Sequence, residues 1–185
     1  MGAVGAIIMS FFGALFAAMT LALQLHWTGP PLLLPFLPFI AIAILASRVL
    51  RMPGPGIAPS ARGERVILWS SIGEGVGLFV AANLVVNVGH RELLLPAMAL
   101  VVGLHFLPMA WGIPFRPFAY LGLCLLLSAF AGYVVPQPFG GEIAGAAAAI
   151  ALVLAALLAV RRDWRARRIR SAPAPAAVRR PSRNA

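Results

Sequence analysis

The chain has 185 residues, of which 61% are hydrophobic and only 11% are charged, and its mean hydropathy is +0.92. A soluble domain carries about 25% charged residues, so this chain has too few charges to cover a surface exposed to water. Its formal net charge is +10, and every basic residue is Arg. No recognised nucleic-acid motif or set of stacking aromatic residues accompanies this charge, so we do not expect nucleic acid as a partner.

Six apolar runs are long enough to cross a bilayer as helices, which takes about 20 residues each. The predicted spans are 4–25, 32–50, 66–88, 93–111, 117–135 and 143–160, separated by breaks rich in Gly and Pro. The first run lacks the basic start and the cleavage site of a secretory signal, so it is predicted to be a retained span. Pro31, Pro35 and Pro38 predict an irregular start to the second span, because Pro cannot donate a backbone hydrogen bond.

The Arg residues concentrate on one side of this six-span arrangement. Fourteen of the 15 lie in or beside the loop after span two, in the loop after span four or after span six, and only Arg91 lies on the opposite side. Arg and Lys favour the cytoplasmic side of a membrane. The sequence therefore predicts an all-α polytopic transmembrane helix bundle with six spans and both termini in the cytoplasm (N-in/C-in).

Residues 1–160 are predicted to form the transmembrane bundle, followed by a basic segment and cytoplasmic tail at 161–185. The stretch from Arg161 to Arg170 includes Trp164, which suits the headgroup region, and is expected to continue the last helix to the membrane surface. The stretch from Ser171 to Ala185 is rich in Pro, Ala and Arg and is predicted to be disordered. The nine Arg residues of 161–185 are expected to attract anionic lipids, at about 1 kcal/mol each near the surface.

Glu74 and His105 are the most informative polar residues within the spans. Glu74 lies roughly 13 Å from the cytoplasmic end of span three, where a carboxylate is costly unless it is protonated, paired or hydrated. His105 lies roughly 10 Å from the same side in span four. A short loop joins the two spans, so they are predicted to be antiparallel neighbours with both side chains at similar depth. Pro108 leaves the carbonyl of Leu104 without its helical donor, which predicts a polar pocket beside His105.

Other polar and small residues complete the candidate intramembrane site and its surroundings. Ser70 precedes Glu74 in the same span and is included in the site, as are Asn83 and Asn87. The two Asn residues share a helix face roughly opposite Glu74 and are predicted to form hydrogen bonds between helices.

Small residues mark faces where another helix could approach closely. Gly73 and Gly77 have the G-x-x-x-G spacing that permits close helix contact, and span six carries a run of small residues at 144–149. A neighbour in the same chain, a second copy or another membrane protein could occupy such a face. Cys124, the one cysteine, is predicted to be a small buried apolar residue.

The sequence contains no phosphate-binding loop, zinc-protease motif or nucleophile elbow. Aspartate occurs once, as Asp163 in the basic segment, so a pair of intramembrane aspartates is excluded. We therefore expect no enzymatic activity, no metal site and no cofactor.

The run 103–108, which reads Gly-Leu-His-Phe-Leu-Pro, and the aromatic-rich stretch 114–120 resemble small multi-pass bacterial membrane proteins of uncharacterised families. The resemblance covers about one span and a loop. It implies a location in the bacterial inner membrane and no assigned activity.

Two functions remain open from the sequence. The chain could move a small solute or ion, linked to protonation of Glu74 and His105, or it could be a structural or partner-binding membrane subunit in which Glu74 and the small-residue faces hold helices together.

Overall fold

A computed structural model describes residues 2–54 and 58–171, which form six α-helices and two short 3-10 turns. The helices are α1 (Gly2–Leu23), α2 (Phe36–Leu50), α3 (Ala61–Asn87), α4 (Leu94–Gly112), α5 (Pro117–Val134) and α6 (Phe139–Ser171). The 3-10 turns, Pro30–Leu33 and Arg91–Leu93, precede α2 and α4.

Six helical segments, each long and apolar enough to cross a membrane, correspond to the six predicted spans. The all-α transmembrane bundle is therefore confirmed, whereas the side that each end faces stays a prediction. The irregular start of span two is also confirmed, because the chain forms a 3-10 turn before α2 begins at Phe36. The tail predicted to be disordered lies outside the described residues apart from the end of α6.

The centre of the bundle is α6, which packs against α1, α2, α4 and α5. Small residues make this possible, because they let neighbouring backbones approach closely. Ala144 and Ala148 are fully buried, and a side-chain carbon at Gly145 would collide with Thr20 of α1. The prediction that the small residues of span six mark tight helix packing is therefore confirmed.

The outermost helix is α3, which packs chiefly against α4 and has Gly63 as its one buried residue. Gly89 makes the tight turn between the two helices with a φ of 85°, a conformation that side chains with a Cβ rarely adopt. The G-x-x-x-G prediction holds for Gly77, where an added carbon would meet Val101 of α4 at 2.8 Å. It fails for Gly73, which faces open space.

The helical continuation of α6 beyond Val160 is confirmed, and this extension belongs to the packed core at one end of the bundle. At 1.5 Å per residue its 33 residues span about 50 Å, longer than the hydrocarbon core of a bilayer. Asp163 is fully buried and accepts a hydrogen bond from the backbone N–H of Ala3 at 3.2 Å. Asp163 therefore ties the last helix to the start of the first, although the sequence analysis assigned it to a basic surface segment.

The prediction that Cys124 is buried is wrong. It is exposed on the outer face of α5, beside other exposed residues such as Tyr120, Leu123 and Leu127. An apolar helix whose whole circumference suits lipid gives no sequence signal for which face turns inward.

Candidate functional site

Ser70, Glu74 and His105 meet where α3 packs against α4. The antiparallel pairing of these helices places Glu74 Oε2 3.6 Å from His105 Nδ1, so the predicted proximity of the two side chains is confirmed. The Glu74 and His105 side chains are only 16% and 7% exposed. An acid and a base thus lie together inside a helix pair that is otherwise largely apolar.

The hydroxyl of Ser70 determines which nitrogen of His105 carries the hydrogen. Ser70 Oγ donates to the backbone carbonyl of His105 at 2.8 Å and lies 2.9 Å from His105 Nδ1. A hydroxyl has a single proton, and here the carbonyl can only accept it. Nδ1–H is therefore the donor to Ser70 Oγ, and this network leaves Nε2 of the neutral ring unprotonated and able to accept a proton.

The helical hydrogen bond that Pro108 removes lies directly beside this network. Pro108 is inside α4 and lacks an N–H, so the preceding turn loses a helical hydrogen bond. The sequence analysis placed the free acceptor at the carbonyl of Leu104, whereas Ser70 donates to the next carbonyl along the chain, that of His105. A hydroxyl from the neighbouring helix thus stabilises the backbone at the turn that carries the histidine.

Beside the pair is a cavity of about 260 Å³, at the end of the bundle that also carries the Arg-rich segments. It is lined by residues of α1, α3, α4, α5 and α6, together with the segment between α4 and α5, and most of its surface is apolar. The lining residues include Gly5, Glu74, His105, Phe106, Phe118 and Arg162. The cavity gives the acid–base pair a space in which a small molecule or water can contact it.

The ionisable groups among the lining residues are Glu74, His105 and Arg162. Arg162 follows the apolar part of α6, and its guanidinium donates to the carbonyl of Pro114 at 3.1 Å. Its Cζ lies 4.7 Å from the centre of the Phe115 ring, a cation–π distance. Pro114 follows the end of α4 at Gly112, which packs against Val66 of α3, and Glu74 lies eight residues beyond Val66, about 12 Å further into the bundle by helix rise. The acidic group is therefore deep, and the basic group lies at the rim.

The other two predicted site residues, Asn83 and Asn87, are not part of this site. Both are exposed on the far half of α3. Asn83 Nδ2 donates to the carbonyl of Phe79 in its own helix at 2.8 Å, instead of bonding to another helix of this chain as predicted. The predicted site thus divides into a pocket group of Ser70, Glu74 and His105 and an outward-facing pair of Asn residues.

Sequence reasoning missed the second acid–base pair, Asp163 and Arg167. Asp163 Oδ2 lies 3.7 Å from Arg167 Nε, and Arg167 also donates to the carbonyls of Met52 and Gly54 at 3.2 and 3.1 Å. The available signal was the four-residue spacing of a lone aspartate and an Arg on one helix, which favours a contact. No group of three or more potential metal ligands comes together within residues 2–54 and 58–171.

Comparisons of the chain with models of known protein families, with curated proteins and with solved structures find no match. The resemblance through residues 103–108 therefore stays a prediction, and the site geometry is the basis for function.

Proposed function

We propose that this chain is a protein of the bacterial inner (plasma) membrane, with both termini in the cytoplasm, that moves a small solute or ion. In this proposal Glu74 binds and releases the coupling proton, and His105 is its partner. Ser70 is a positioning residue that sets the tautomer and orientation of His105.

The observation that carries the proposal is the acid–base pair on the wall of the cavity. An ionisable residue inside a transmembrane segment is costly, and such residues mark ion and proton pathways where they face a cavity. At 3.6 Å the charge on Glu74 acts directly on His105, so a proton or a cation bound at Glu74 changes the field at the His105 ring. A pair that only held helices together would not need an adjoining space of about 260 Å³.

The experiment is proton flux into liposomes that contain the purified chain, followed with a pH-sensitive dye trapped inside. We expect Glu74→Gln to lower the pH-dependent flux by about tenfold or more, since Gln keeps the shape of Glu but cannot exchange a proton. The matched control is Glu64→Gln, because Glu64 is exposed on the same helix and is not a lining residue. Wild-type flux in the Glu74→Gln variant would contradict the proposal.

Orientation is tested separately with single cysteines and a membrane-impermeant thiol reagent on intact cells. In a Cys124→Ser background, Ala58→Cys reports the loop after α2 and His90→Cys reports the turn after α3, and both positions are exposed. We expect labelling of the cysteine at position 90 and protection at position 58, because Arg-rich loops favour the cytoplasm. The reverse pattern would invert the proposed topology.

A second candidate, a subunit that associates through α3, is favoured by the outer face of that helix. Exposed residues recur there at alternating spacings of four and three: Trp69, Gly73, Val76, Val80, Asn83 and Asn87. This spacing is the seam of packed helix pairs. An Asn amide both donates and accepts, so two copies related by a twofold axis can pair the same Asn residues and avoid exposing them to lipid.

Disulfide formation tests this association. Asn83→Cys in a Cys124→Ser background should form a disulfide-linked dimer under mild oxidation, because symmetric seam positions bring the two Cα atoms within about 7 Å. The unmodified chain is the control, since its exposed Cys124 lies on α5, away from the seam. Equal cross-linking through Cys124 would contradict a specific α3 interface.

A further inference from the structure

We infer that the cavity beside Glu74 and His105 binds small lipophilic cations, held by the Glu74 carboxylate in exchange for its proton. This substrate class deepens the proposed function and rests on it.

The walls of the cavity favour an apolar ligand with aromatic or alkyl groups. Phe106, Phe115 and Phe118 form a continuous aromatic cluster on one side, with ring centres 5.5 Å apart for Phe106 and Phe118 and 4.9 Å apart for Phe115 and Phe118. Aliphatic side chains of α1 and α3, together with Met109 of α4, line much of the remainder. Aromatic rings attract cations through their quadrupole as well as through apolar contact, so this wall suits an apolar cation better than an apolar anion.

The charged groups in the cavity also favour a cationic ligand. The deep acidic group is Glu74, which becomes a carboxylate when it gives up its proton, whereas the Arg162 guanidinium at the rim is engaged by the carbonyl of Pro114 and the ring of Phe115. A cation that enters the apolar part of the cavity can therefore form an ion pair with the Glu74 carboxylate at its deep end. An anion that reaches the same depth would lie against Glu74, which has no positive charge to offer it.

The volume limits the size of the ligand. A cavity of about 260 Å³ exceeds the engineered cavity of about 150 Å³ that binds benzene, and is just below the range of pockets for drug-sized molecules, which begins at about 300 Å³. One ring or a short branched alkyl group with a single cationic centre fits these limits.

The exchange conserves charge. A monovalent cation forms an ion pair with the Glu74 carboxylate as the carboxyl O–H bond breaks, and the proton passes to water in the cavity and leaves the site. The ionisable groups that face the bound cation are Glu74 from α3, His105 from α4 and Arg162 from α6, all of which line the cavity. One positive charge enters the site and one leaves it, so uptake of the cation is coupled to release of a proton.

The test uses three probes of nearly equal shape on the full chain in detergent micelles. Benzyltrimethylammonium is the cation, 2,2-dimethylpropylbenzene is its uncharged carbon analogue, and benzylphosphonate is an anion with the same ring. Calorimetry in two buffers of different protonation enthalpy gives the affinity and the protons released. We expect binding of the cation about tenfold or more tighter than either other probe, with release of up to about one proton.

Two variants of matched chemistry locate the site. Gly5 lines the cavity and Gly75 does not, and in both cases an added side-chain carbon would meet no other atom within 4 Å. Gly5→Leu should therefore fill the cavity and weaken cation binding, whereas Gly75→Leu should leave it unchanged. Glu74→Gln should weaken binding by about 30-fold or more and abolish proton release, because it removes the one deep anion.

An error in the inferred ligand class and an error in the proposed function give different results in the binding and flux experiments. Cation binding that is absent, or that Gly5→Leu leaves unchanged, overturns the inference even where liposomes retain flux that depends on Glu74. Tighter binding of benzylphosphonate, lost in Arg162→Gln, overturns it in favour of an anion. Cation binding that requires Glu74 in a chain without flux supports the site and contradicts transport.

Discussion

Two acid–base pairs in this bundle have almost the same separation and very different surroundings. Glu74 and His105 approach to 3.6 Å, and Asp163 and Arg167 approach to 3.7 Å. Asp163 is fully buried against the backbone of α1, and Arg167 bridges to the carbonyls of the segment after α2. Glu74 and His105 instead line a cavity. The two pairs therefore differ in the accessible space beside them and not in the distance between their groups, and it is the space that supports the proposed function.

The largest expected effect comes from breaking the packed pair. Asp163→Asn should lower the free energy of unfolding by about 3–5 kcal/mol, because Arg167 would keep a buried charge without its carboxylate. Unfolding of the purified protein in mixed micelles, titrated with a denaturing detergent, measures this. Arg165→Gln is the control, since Arg165 is exposed on the same helix and should change stability by less than about 0.5 kcal/mol.

The double variant Asp163→Leu with Arg167→Met sharpens the interpretation of that loss. Well-packed apolar residues that replace both members of a buried ion pair are often neutral or stabilising. We therefore expect the double variant to recover most of the stability lost in Asp163→Asn. A double variant as unstable as the single one would show instead that the hydrogen bonds to Ala3, Met52 and Gly54 stabilise this end of the bundle.

An intermediate effect is expected at Ser70. Ser70→Ala leaves the carbonyl of His105 without the hydroxyl donor, which should cost about 1–3 kcal/mol. It also frees Nδ1 of His105, so the tautomer seen by nitrogen NMR of a labelled histidine should change. The matched control is Ser71→Ala, whose serine lines the cavity next to it. A change of equal size in both variants would contradict a positioning role for Ser70.

The smallest expected effect on stability is that of Glu74→Gln. Because the Glu74 side chain adjoins a cavity and can be hydrated there, we expect its free energy of unfolding to stay within about 1 kcal/mol of wild type. The same denaturing-detergent titration measures it. A loss as large as that of Asp163→Asn would make both pairs structural and would remove the contrast on which the proposed function depends.

The features of this structure that depend on residues close together in the chain could be predicted from the sequence. The six spans follow from runs of apolar residues, and the contact of Glu74 with His105 follows from counting residues on either side of a short loop. Both inferences need only helix rise and the antiparallel geometry of a hairpin.

The parts that depend on distant contacts could not be predicted. Asp163 accepts its hydrogen bond from Ala3, 160 residues away, and no local pattern reports such a partner. The cavity requires helices from both ends of the chain to meet. Cys124 was placed on the wrong side because α5 is apolar around its circumference, so its sequence contains no information about which face packs.

The central position of α6 has a consequence for how the bundle is made. Chains emerge from the ribosome with the N-terminus first, so α1, α2, α4 and α5 reach the bilayer before the helix that they surround. Until Phe139 and the residues after it are synthesised, the inward faces of those four helices have only lipid or one another to contact. Assembly of the core therefore waits for the final helix. A premature stop codon shortly before position 139 should yield inserted but unassembled segments that cellular proteases degrade.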